Sequence, residues 1–211
     1  MRAWLEKETR ILDAGVDLGP RLLLLLAALA LIAVYLFPLW NMTMFAPQYP
    51  QGLRLHIYSY KLDGGNGGQD VKEVNVLNHY IGMAALSTAS FDEFKWMPFV
   101  VGALLLLVLR AVVHGRVAGV LDVTVMFVYF AAFSLWSFGY KLWTYGHQLD
   151  PGAPVRVAGF MPPLFGYSKI ANFEVYSYPG PAGYAMGAVF ALLLAALVFA
   201  VLPARAGRAR A

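Results

Sequence analysis

The chain has no cysteine. That excludes disulfides, thiolate metal sites, a thiol nucleophile and covalent attachment of a c-type haem through a Cys pair, and it leaves the redox compartment open. Charge is also scarce: 13% of the 211 residues are Asp, Glu, Lys or Arg, against 60% hydrophobic, which is too apolar for an ordinary soluble domain of this size. Catalytic signatures are missing too. No His-Glu-x-x-His occurs and no Ser/His/Asp order stands out. The glycine cluster Gly64-Gly65-Asn66-Gly67-Gly68 lacks the Gly-Lys-Ser/Thr ending of a phosphate loop and reads as a hairpin tip or linker. His56, His79 and His147 fall in loops and His114 at a span edge, so the paired intramembrane histidines of a b-type cytochrome are lacking. Few acids lie within the apolar runs, which argues against a proton relay, and four short spans without polar interruptions argue against a translocation path of its own unless the protein oligomerises. The reading leans away from an enzyme and gives no reason to expect haem, nucleotide or flavin. A net charge of +4 follows from basic residues at span ends and does not call for nucleic acid.

What the chain does have is long apolar runs. The expected class is an α-helical membrane protein: four transmembrane helices with a mixed α/β, loop-rich extracytoplasmic cap. Residues 1–20 alternate Arg2, Lys7 and Arg10 with Glu6, Glu8, Asp13 and Asp17 and suit a cytoplasmic amphipathic segment, which Gly19-Pro20 is expected to end. Residues 21–40 form a first span long enough for a hydrocarbon core of about 30 Å. A cleaved signal peptide is the competing reading, but without a clear small-x-small site an uncleaved anchor is expected. Further spans are expected at 97–113, 119–143 and 184–202, the last stopped by Pro203. A cytoplasmic turn at 114–118 joins the second and third, and 203–211 is a basic tail. Asp122 reads as a helix-start charge, paired with Arg110 or Arg116 or solvated. The late aromatics of the third span, among them Trp136, Tyr140 and Trp143, suit an interfacial belt.

Short segments hold Arg2, Lys7, Arg10, Arg21, Arg110, Arg116, Arg205, Arg208 and Arg210, whereas the basic residues of the long loops are spread over far more sequence. The positive-inside rule therefore puts both termini in the cytoplasm and the long loops, 41–96 and 144–183, outside. In the first loop, Pro47 and Pro50 impose extended or turn geometry, and Leu53 to Tyr60 alternates like a half-buried strand. Ser90 and Glu93 have capping-box spacing, which predicts a short interfacial helix. The Pro- and Gly-punctuated second loop should be irregular with a few strands. His56-Ile57-Tyr58-Ser59-Tyr60 is echoed by Glu174-Val175-Tyr176-Ser177-Tyr178, which hints at a duplication but also fits coincidence in an aromatic-rich chain.

The polar stretch Asn75 to Met83 is the chemical focus. If it is helical, Asn75, His79 and Met83 share a face, and an imidazole with a thioether suits a soft ion such as Cu(I). His79 and Met83 are the candidate ligands, His56 the third, and Met42, Met44 and His147 lesser ones; Met161 is a further methionine of the second loop. Tyr49, Asn75, Asn78, Tyr80 and Asn172 are candidate partner-facing residues of the cap, and Ala46–Pro50 is expected to lie against Asn75–Met83. Ala46-Pro47-Gln48-Tyr49-Pro50 followed by Leu77-Asn78-His79-Tyr80-Ile81-Gly82-Met83 resembles a group of bacterial membrane proteins associated with copper-enzyme maturation, in particular accessory proteins of nitrous oxide reductase. The resemblance covers mainly the first outer loop. It implies a copper-handling accessory role in the bacterial inner membrane and brings no ligand set. The alternative is a non-catalytic structural or assembly subunit of a respiratory membrane complex, docking its partner through the aromatic side chains of the cap.

The topology is testable because the chain is cysteine-free. A cysteine placed at Gly67 should react with an impermeant reagent on intact cells, and one placed in the C-terminal tail should not. The reverse pattern overturns the orientation.

Overall fold

The computed structural model describes residues 9–170 and 172–206. Most of the expected amphipathic segment (residues 1–8) and the tail beyond residue 206, with Arg208 and Arg210, lie outside these. Among the described residues four helices are long and apolar enough to cross a membrane: α1 (Leu18–Leu36), α3 (Glu93–His114), α4 (Val117–His147) and α5 (Pro181–Ala206). Also among the described residues are a shorter helix, α2 (Gln69–Ile81), two single 3-10 turns (Asn66–Gly68 and Thr88–Ser90) and five strands: β1 (Trp40–Ala46), β2 (Tyr49–Ile57), β3 (Leu62–Gly64), β4 (Gly166–Ile170) and β5 (Phe173–Pro179).

Several boundaries differ from expectation for identifiable reasons. Gly19-Pro20 does not precede α1 but sits in its first turn, where a missing N–H forfeits no intrahelical bond. The helix stops before Pro38, so Trp40 opens a strand instead of closing a span. Pro203 lies inside α5, which continues to Ala206 after losing one bond near its end. The Ser90–Glu93 capping box is not made. Ser90 shares a hydroxyl contact of 2.7 Å with Ser87, Glu93 Oε1 accepts from Ser137 at 2.7 Å, and α3 runs unbroken from Glu93, preceded only by a single 3-10 turn at Thr88–Ser90.

The chain packs as two compact units. The described residues within 1–33, 99–131 and 185–211 form one, and those within 34–98 and 132–184 the other. In the first, buried residues recur at helical three- and four-residue spacing: Leu24, Ala27, Ala28 and Leu31 on α1; Val101, Leu104, Val108 and Ala111 on α3; Val189, Leu193, Ala196 and Ala200 on α5. Large apolar residues such as Leu22, Leu29, Leu106, Val125 and Phe199 are exposed. Residues 14–16 pair with the α3–α4 turn through Val16 N–H to Gly115 O (2.7 Å) and Val117 N–H to Ala14 O (3.1 Å). Arg116 lies 3.9 Å from Asp13. Asp122 is exposed and forms no ion pair among the described residues, so the solvated reading fits it and the Arg116 pairing does not.

The second unit is built on one antiparallel sheet in the order β3-β2-β1-β5-β4. β1 is central, paired along its length with β2 from the same loop (Met42 opposite Leu55) and with β5 from the other loop (Met42 opposite Ser177). The two long loops therefore form one ordered body. Strand alternation puts Met42, Leu53, Leu55 and Val175 on one face, where Val74 of α2 completes a buried cluster flanked by Met44, Tyr49, Val71, Leu77 and Phe138. Asn41, Thr43, Arg54, His56 and Tyr176 occupy the opposite face by the same alternation. The echoed segments are not structural equivalents: Glu174–Tyr178 is strand throughout, whereas Tyr58–Tyr60 has left β2. The β3 edge is closed by Thr88, whose hydroxyl accepts from Leu62 N–H at 3.2 Å and donates to Leu62 O at 3.4 Å.

The glycine cluster is a built corner, not a free linker. Asp70, 2% exposed, accepts from Arg54 N–H (2.9 Å) and Asn66 Nδ2 (2.7 Å) and so fixes the start of α2 against β2. Removing a buried acceptor leaves its donors unsatisfied, at about 1–3 kcal/mol each. Asp70→Ala should therefore lower the thermal midpoint of the detergent-solubilised protein clearly, and Asp70→Asn less so. An unchanged midpoint for Asp70→Ala would show that water replaces the carboxylate.

Candidate metal centre at the end of helix α2

α2 ends where glycine lets it turn. Gly82 has φ of 79°, a left-handed value that costs a residue with a Cβ roughly 1 kcal/mol or more. Gly82 N–H bonds His79 O (3.3 Å) and Met83 N–H bonds Asn78 O (2.8 Å), the Schellman pattern that satisfies the last carbonyls. Met83 therefore lies beyond the helix, and the expected shared helical face of Asn75, His79 and Met83 is not formed.

The turn nevertheless brings two of the six candidate ligands together. His79 and Met83 line one open depression of about 600 Å³ with Gly82, Ala84 and the segment Gln148–Pro154 of the second loop. His79 is exposed, its ring 6.4 Å from that of Tyr80, and among the described residues its nitrogens make no hydrogen bond. The second loop reaches the site as a strap held by main-chain groups: Asp150 N–H donates to Gly82 O (2.8 Å) and Val155 N–H to Tyr80 O (2.9 Å). A Cβ on Gly82 would lie 2.7 Å from Asp150 O and 2.8 Å from Asp150 N.

The other four candidates are used elsewhere. Met42 is buried in the apolar cluster and Met44 packs against it, so both thioethers serve as core. His56 is on the face of β2 turned away from α2, with Nδ1 2.8 Å from Asn41 Oδ1. Beside it, the Lys61 ammonium, 2.7 Å from Asp63, donates the hydrogen bond that holds the Asp63 carboxyl below its usual range. His147 stacks on Trp143 at 4.6 Å and its Nδ1 donates to Trp143 O at 2.9 Å. It ends an aromatic ladder of Phe133, Trp136, Tyr140 and Trp143 on α4. Met161 is exposed and does not line the depression.

The partner-surface residues also divide. Tyr80 (52% exposed) and Asn172 are at the surface. Asn78 is buried and Asn75 clamps Leu86, donating to its carbonyl (2.9 Å) and accepting from its N–H (2.7 Å), so both amides build the loop after α2 instead of facing a partner. Tyr49 donates to Glu73 at 2.8 Å, so the proline segment meets α2 nearer its start than Asn75–Met83. Hydrogen bonds from Gln69 and Tyr49 hold Glu73 below the ordinary carboxylate range, and the same Tyr49–Glu73 bond raises the Tyr49 hydroxyl. The depressed Glu73 favours the folded state above its unfolded pKa and the raised Tyr49 below its own, so the tie persists across neutral pH.

The contact that sequence reasoning missed is that of Asp150 with the end of α2. Asp150-Pro151-Gly152 is one of the Pro- and Gly-punctuated stretches of the second loop, and Asp150 Oδ1 accepts from Gly152 N–H at 2.8 Å. Nothing local signalled that this turn lies over α2. Among the described residues no group of three or more His, Asp or Glu side chains is arranged to hold a metal ion. No protein-family model matches this chain, and no curated protein matches it.

The strap depends on Gly82. Gly82→Ala should displace residues 148–155, raising hydrogen exchange at the Asp150 and Val155 amides and lowering stability by about 1–3 kcal/mol. Exchange equal to the parent's would mean that the turn absorbs a methyl group without strain.

Proposed function

We propose that the protein is a membrane-anchored accessory protein that handles copper, holding Cu(I) at the end of α2 for an extracytoplasmic metalloenzyme. The observation that carries this reading is that an imidazole and a soft thioether, those of His79 and Met83, belong to residues that line one open depression. Two protein donors suit transient binding, because an incomplete coordination sphere lets an acceptor's ligand enter and displace them. The exposed apolar surface of the four helices supports insertion in a bilayer. So does the uncharged stretch of α4 between Asp122 and Lys141, about 27 Å long at 1.5 Å per residue. The distribution of basic residues supports a bacterial inner membrane with cytoplasmic termini and the sheet unit outside.

The alternative, a docking subunit of a respiratory complex, is favoured by one feature: the sheet face away from α2 carries Tyr167, Tyr176, Tyr178 and Arg54, with Tyr167 and Tyr178 well exposed. A competition titration of the purified protein with a Cu(I) chelator separates the readings. His79→Ala and Met83→Leu should each weaken binding, the latter keeping volume while losing sulfur, and His56→Ala should bind like the parent. A parent that binds no Cu(I), or His79→Ala and Met83→Leu variants that match it, returns the assignment to the docking subunit.

A further inference from the structure

α4 carries an exposed seam that neither the depression nor the sheet uses. Tyr129, Phe133, Trp136, Tyr140, Trp143 and His147 are all exposed and follow one another at alternating steps of four and three residues. From Phe133 onward the rings touch in sequence, with centroids 5.8, 5.7, 6.4 and 4.6 Å apart, so they share one face of the helix. Counting back by the same steps gives Met126, also exposed, and then Asp122. A 3-4 alternation held this long is the repeat by which one helix meets another.

An interfacial belt explains only part of the seam. The rings from Phe133 to His147 extend over about 21 Å at 1.5 Å per residue, whereas the headgroup layer is about 5–7 Å thick on each side of the hydrocarbon. Within the uncharged stretch between Asp122 and Lys141, Tyr129 lies seven residues from one end and Trp136 five from the other. That depth is about 10 Å for the first and about 8 Å for the second. Among the described residues the Tyr129 hydroxyl and the Trp136 indole make no hydrogen bond, and a polar hydrogen left unpaired in hydrocarbon is costly. Lipid tails offer no acceptor, so the face calls for a protein neighbour.

Resting on the membrane reading above, we propose that the seam is a dimer interface on which α4 of a second copy packs in parallel. Copies in one membrane run in the same direction, so a strict 3-4 repeat faces its own repeat in register. Tyr129 then meets the same residue of the second copy at the same depth, and a phenol both donates and accepts. The rings beyond it pack on their counterparts. Val128 and Leu135, exposed on another side of α4, are aliphatic and remain toward lipid. The like groups that meet at the two ends, Asp122 and His147, fall in water, where salt screens their charge.

Single cysteines report the seam directly, because the chain has none of its own. The full chain is studied in inner-membrane vesicles from expressing cells, after alkaline carbonate extraction has shown that each variant is retained. A disulfide needs Cβ atoms about 4 Å apart, so under mild iodine oxidation Phe133→Cys and Trp136→Cys should form linked dimers on the order of tenfold faster than Val128→Cys and Leu135→Cys. The two controls sit roughly 100° round the helix from the seam. A parent chain that carbonate releases removes the membrane reading and the seam with it. For retained chains, equal rates at the four positions, or no dimer at any, overturn the interface while leaving the four spans in place. Adducts of another mass, formed at 133 and 136 alone, also overturn it and assign the face to a different protein's helix.

Discussion

The pairing of β1 with β5 is the constraint from which the rest of the sheet unit follows. Three residues separate the end of α1 from β1, because Pro38 forbids further helix, and a single residue separates β5 from α5. Their register, from Trp40 opposite Pro179 to Phe45 opposite Glu174, therefore ties the ends of two long helices through main-chain hydrogen bonds. Everything else in this unit is placed by reference to that pair. β2 and β4 add to its two sides, and α2 covers the face that presents Met42 and Val175. The Trp40 indole reinforces the pair by donating to Ser177 at 2.8 Å.

Placing α2 on one face decides the chemistry as much as the fold. His56 and Met42 belong to adjacent strands, close in sequence and both plausible ligands. The pleat sends one outward to Asn41 and the other into an apolar cluster. A metal cannot use both without rebuilding the sheet. His79 escapes this sorting because it lies on the last turn of α2, where the chain must reverse and the helix surface gives way to a loop.

Much of this was legible beforehand. The four long helices follow from uninterrupted apolar runs, and the extended geometry around Pro47 and Pro50 follows from proline's fixed φ and missing donor. Two features resisted reading for physical reasons. Helical periodicity at 75, 79 and 83 looks continuous in one dimension, yet Gly82 alone converts the last step into a left-handed turn, and glycine is compatible with either outcome. The approach of Asp150 to the end of α2 is a contact between residues far apart in sequence, dictated by main-chain groups that every residue type except proline possesses, so no side-chain pattern announces it.

The manner in which the strap is held has its own consequence. Its two anchors are amide N–H groups bonded to carbonyls, and the side chains of Gln148, Leu149 and Ala153 take no part in those bonds. Fixing a wall of the depression by backbone leaves the chemistry of that wall free to drift. Over evolutionary time the strap can trade one side chain for another, changing the shape and polarity of the depression, without renegotiating the architecture that supports it.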